Sequence, residues 1–255
     1  MIVQFKKHWR EYLIEAWALG MFMVSACVFV ILIEHPDFMI RELVPNNFIR
    51  RLFIGAAMGV TAILLIHSPW GKQSGAQMNP AVTLSFLYLG KIEKTDAFFY
   101  IIFQFIGGYL GVAIFQFWIH DIVADGSVNF VATIPPEKGV TTAFILEFAL
   151  AFGLFLMVLI TSNTKSLENF TAYFVGILLT LFIAIEAPYS GMSINPARTL
   201  GSAIPALRFD ALWLYFLAPI TGMLSAAILY KKTIGSKKFE CSMGANNINC
   251  KTYKH

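Results

Sequence analysis

Six stretches of this chain, about residues 11–33, 49–67, 97–119, 140–161, 170–187 and 211–230, are dominated by apolar side chains. Each is long enough, or nearly so, to cross the hydrocarbon core of a bilayer, which takes about 20 residues of helix. The composition agrees: 57% of residues are hydrophobic and only 13% are charged, where a soluble domain carries about 25% charged residues. The expectation is an all-α membrane protein with a single transmembrane domain over residues 1–230. A polar cytoplasmic tail follows over 231–255. The N-terminus, MIVQFKKHWREYLIEAW, is basic and then apolar. Its apolar run continues to Ile33 and carries Glu15, unlike the short core of a cleaved leader, so it reads as a retained first span.

The net charge of +4 follows membrane topology rather than a nucleic-acid footprint. With the N-terminus in the cytoplasm, thirteen of the 19 cationic side chains fall on the cytoplasmic side, the tail lysines among them. That bias is the one membrane insertion imposes, and it places both termini inside. No basic stripe is interleaved with aromatics, so nucleic acid is not an expected partner. The 3 cysteines exclude a disulfide framework. Cys27 lies in a span and reads as a packing residue, while Cys241 and Cys250 read as unpaired thiols of the tail. No metal-ligand spacing is present.

Two further segments, 79–88 and 195–204, are apolar but too short to span. Each begins with Asn-Pro. Asparagine is a good N-cap, and proline is preorganised for the first helical position. Each therefore reads as a half-helix whose open end is buried in protein or lines a wet cavity. The chain also resembles itself. MNPAVTL at 78–84 answers INPARTL at 194–200, and Glu15 in LIEAWALGMFMV answers Glu147 in ILEFALAFGLFLMV. Both halves, about 1–125 and 126–230, read span, span, half-helix, span. Three spans per half turns the second copy upside down, which is an inverted repeat with broken helices meeting near the midplane.

Paired Asn-Pro-Ala motifs, 79–81 and 195–197, in corresponding halves resemble the aquaporin, or major intrinsic protein, family over about residues 9–230. The resemblance implies a right-handed bundle of six transmembrane helices plus two re-entrant half-helices. It also implies a homotetramer with one pore per subunit in the cell (plasma or inner) membrane. Asn79, Pro80 and Ala81 would meet Asn195, Pro196 and Ala197 at the pore centre, each asparagine pointing an amide N–H at a file of water. The positive ends of the half-helices would disfavour cations there.

Arg198 lies one turn into the second half-helix. An arginine at bilayer depth is costly and marks function by default. The resemblance assigns it to the outer constriction, its guanidinium held by carbonyls around Tyr189–Gly191. The rest of that constriction would be Ile183, Met192 and either Met58 or Gly59. Strict water channels of the family typically carry histidine where Ile183 stands, so this filter resembles those of solute-conducting members. Thr199, Ser202, Ala203, Tyr215 and Phe216 instead match the water-channel pattern. Glu15 and Glu147 would be structural acids that accept hydrogen bonds from half-helix loops, with a proton relay as the alternative.

The expected function is a passive channel for water and small neutral solutes, needing no cofactor. The alternatives are a glycerol or small-solute facilitator with little water selectivity and, less favoured, a coupled inverted-repeat transporter. No Ser-Lys, paired-Asp or His-Glu-x-x-His arrangement lies on a span, so no catalytic residue and no enzyme is expected.

Overall fold

A computed structural model describes residues 1–135 and 139–234. Eight helices organise it: α1 (Ile2–Glu34), α2 (Asn47–His67), α3 (Pro80–Tyr88), α4 (Lys94–Trp118), α5 (Val140–Ser162), α6 (Thr171–Ile185), α7 (Pro196–Ala206) and α8 (Leu214–Ile234). All but α3 and α7 are long and apolar enough to cross a membrane, α6 together with the turn Glu168–Phe170 that leads into it. Cys241 and Cys250 lie outside the described residues.

The first span begins earlier than the hydropathy indicates. Helix α1 reaches back to Ile2 through an irregular residue, His8 (φ −123°, ψ 17°). The cause is a polar cluster on the first turn of α4. Asp96 accepts from the Tyr12 hydroxyl at 2.6 Å and from Gln4 at 3.1 Å, and lies 3.1 Å from His8 Nδ1. Buried polar groups need such partners, and tying them to Asp96 orders a segment too polar to read as a span.

Packing repeats with the sequence. Helix α1 lies against α4 and α5 against α8, while α2 and α6 meet between the halves. Half-helix α7 packs on α4, and α3 lies along α8, so each half-helix is held by the other half. Small residues make the close approaches. A methyl added at Gly107 would collide with the Ala16 carbonyl, which lets α4 press against α1. Without a hydrophobic force between helices in lipid, such backbone contacts supply much of the association. Cys27 is fully buried beside Leu19 and Met23, where it serves as packing.

Candidate functional site

Both half-helices begin as their motifs dictate. Asn79 Oδ1 accepts from Ala81 N–H at 2.9 Å, and Asn195 Oδ1 accepts from Ala197 N–H at 3.0 Å and Arg198 N–H at 3.3 Å. The other end of each amide crosses to the opposite half. Asn79 Nδ2 donates to the Ile194 carbonyl at 2.8 Å, and Asn195 Nδ2 donates to the Met78 carbonyl at 2.7 Å. A side-chain amide has two N–H donors, so one is taken by the opposite loop and one remains. Asn79, Asn195 and Arg198 line a common cavity of about 100 Å³ with Phe155, Val158 and Val175. That is room for several waters.

The loops leading into the half-helices are bent sharply. Ala76 and Met78 have φ of 44° and 49°, and Met192 and Ile194 both have 48°. A side-chain-bearing residue in this left-handed region costs of order 1–3 kcal/mol. Two buried carboxylates hold the bends. Glu15 accepts from Ser74 Oγ at 2.7 Å, Gln77 N–H at 3.0 Å and Met78 N–H at 2.6 Å. Glu147 accepts from Ser190 Oγ at 2.9 Å, Ser193 N–H at 2.7 Å and Ile194 N–H at 2.6 Å. The Tyr100 hydroxyl donates to the Ser74 carbonyl at 2.9 Å, and the Tyr215 hydroxyl donates to the Ser190 carbonyl. The halves then diverge. Glu15 has a further donor, Gln104 Nε2 at 2.9 Å, where the second half has Pro219.

In the loop expected to hold the Arg198 guanidinium, the Ser190 carbonyl accepts from the Tyr215 hydroxyl. Arg198 Nη1 is sealed from solvent and has no hydrogen-bond partner. Arg198 as a residue is nonetheless among those lining the cavity.

The remaining filter candidates separate. Gly59 faces α6: a methyl there would strike the Gly176 carbonyl, so this glycine serves the α2–α6 contact. Met58 is buried with Leu19 and Ala197, and Ile183 and Met78 pack against that cluster. Met192 belongs to the adjoining cluster with Leu179 and Ile194. None of Ile183, Met192 and Met58 is among the residues lining the cavity.

Sequence reasoning passed over Ser74, Ser190, Tyr100 and Gln104. A signal for the serines was present, since Ser-Gly stands five residues before each Asn-Pro-Ala, as SGAQMNPA and SGMSINPA. No comparable local pattern marks Gln104, whose partner is 89 residues away.

A sequence profile described as Major intrinsic protein matches residues 2–230. The chain belongs to the major intrinsic protein family. It is therefore a multi-pass integral membrane protein of a channel family, not an enzyme. It is similar to aquaporin NIP3-1 of Arabidopsis thaliana, with 32% identity over 77% of this chain and 61% of the relative. It is also similar to aquaporin NIP1-2 of the same plant, with 32% identity over 69% of this chain and 61% of the relative. The matched region thus spans about 61% of the length of these relatives. Among solved structures, the aquaglyceroporin from Plasmodium falciparum superposes with a TM-score of 0.75 at 20% identity, covering 89% of this chain and 97% of that one. That likeness shows the fold.

Proposed function

We propose that this protein is a passive channel for water and small neutral solutes, with its pore running through the cavity between the two half-helices. One observation carries the reading: Asn79, Asn195 and Arg198 line one cavity at the place where the half-helix N-termini meet. The amide donors and the helix ends favour the oxygen of a neutral molecule and oppose a cation. Arg198, on the wall of the same cavity, adds a cationic side chain.

The apolar residues assigned to the outer constriction by the family resemblance favour solutes larger and less polar than water alone. Ile183, Met192 and Met58 bring no polar atom other than thioether sulfur to the outer constriction, which supports passage of glycerol-like molecules alongside water. A coupled transporter is less well supported, because the polar donors around Glu15 and Glu147 already satisfy both carboxylates. The protein would act as a homotetramer in the cell membrane, with both termini cytoplasmic.

Reconstitution tests this reading. Proteoliposomes shrink in an impermeant osmolyte and, in glycerol, shrink and then reswell. Fast shrinkage with fast reswelling supports a channel for both. Fast shrinkage without reswelling restricts it to water. Solute entry that requires an ion gradient overturns it.

A further inference from the structure

Glu186 caps the end of α6, its C=O accepting from Tyr189 N–H at 2.7 Å. The residue is 6% exposed, and neither carboxylate oxygen accepts a hydrogen bond. A carboxylate so placed is held in its neutral form. Burial, the largest influence, pushes its pKa up to about 7, and the nearby charge of Glu147 adds to this while Ser190 opposes it. Glu147, by contrast, accepts from three donors.

Ser190 lies between them and anchors the loop before the second half-helix. Its hydroxyl donates to Glu147 and accepts from Met192 N–H at 3.1 Å, while its carbonyl accepts from Tyr215. The groups around Glu186 come from several elements. Glu147 on α5 and Tyr215 on α8 act on it directly. Arg198 on α7 acts on both of those. Arg51 on α2 is held 3.2 Å from the Ala184 carbonyl. Tyr189, on its own segment, is exposed. Glu137 and Lys138 lie outside the described residues.

We infer that Glu186 is a proton-operated control on the outer loop of the channel: when neutral it leaves the Ser190 anchor intact, and when ionised it draws the Ser190 hydroxyl away from Glu147 and slows passage. The inference rests on the channel reading. An ionised Glu186 is a buried charge with no well-formed hydrogen bond, and the Ser190 hydroxyl, which already acts on it, is the donor it can compete for. Losing that donor loosens the loop that carries Met192. Because the acid is neutral below its titration point and charged above it, permeability is high on the acid side and falls as pH rises.

The test is stopped-flow osmotic shrinkage of proteoliposomes equilibrated at steps from about pH 5.5 to about pH 8.5, a span that crosses the titration of a single raised carboxyl. The wild-type protein is compared with Glu186→Gln and with Glu186→Met as a second neutral variant. The expected result is a fall of about threefold or more, centred near neutrality, since one pH unit at the midpoint changes the protonation ratio about tenfold. Either variant that reconstitutes stays at the acid-side rate throughout. A flat wild-type profile, or a variant that keeps the wild-type profile, overturns the inference. Permeability at acid pH no greater than that of empty liposomes would instead overturn the channel reading.

Discussion

Asn195 donates its side-chain amide to the backbone carbonyl of Met78 at 2.7 Å, joining the second half-helix to the loop of the first. Asn79 makes the reciprocal bond to Ile194 at 2.8 Å. The pair therefore locks the two inverted halves together at the centre of the molecule, in addition to capping each half-helix.

This dual use predicts a large cost of truncation. Asn195→Ala loses a cap worth about 1 kcal/mol and leaves the Met78 carbonyl without its donor, a further penalty of about 1–3 kcal/mol. Asn79→Ala has a matching effect. Because the two bonds close one junction, the double variant loses less than the two single losses combined. Thermal unfolding of the detergent-solubilised protein measures this.

The carboxylate cradles predict an asymmetry between the halves. Glu15→Gln turns an amide donor toward Ser74, Gln77, Met78 and Gln104, while Glu147→Gln faces only the Ser190, Ser193 and Ile194 donors. Loss of charge-assisted bonds costs about 1.5–3 kcal/mol each, so the Glu15 variant is the less stable. Gln104→Leu is expected to narrow that difference. Thermal unfolding of the three variants decides it.

Much of this was legible in the chain. The six spans and the two half-helices follow from apolar runs and from Asn-Pro at a helix start, and the halves declare themselves through MNPAVTL and INPARTL. The bond from Tyr215, on a distant span, to the Ser190 carbonyl was not legible, because nothing local in the sequence marks it. Met58 and Gly59 are neighbours in sequence, and only the approach of Gly176 shows which one faces α6. Glu186 carries no motif, and its importance lies in what fails to reach it.

The outer constriction predicts a selectivity change. Ile183→His places a polar ring one helical turn from Glu186 and narrows the passage beside Arg198. Glycerol-driven reswelling is expected to slow severalfold while osmotic water flux is retained. Arg198→Val removes the cationic donor and is expected to raise proton leak, read with a pH-sensitive dye trapped in the liposomes under an imposed potential.

Glu186 also predicts a pH dependence of stability. Its carboxyl is raised from 4.5 to about 7, so the folded state holds a proton that the unfolded state releases between those values. Stability contributed at low pH is therefore lost as pH rises toward 7. Glu186→Gln removes that loss, and its Tm at about pH 8 is expected to exceed the wild-type value by about 2 °C or more.

The central claim is that the cavity shared by Asn79, Asn195 and Arg198 conducts neutral molecules down their own gradient. Its most direct test is osmotic shrinkage of proteoliposomes prepared with no ion gradient, scored against protein-free vesicles. The account predicts shrinkage well above the lipid background that rises in proportion to the osmotic step without saturating. Rates equal to empty vesicles, or flux that appears only when an ion gradient is imposed, would contradict it.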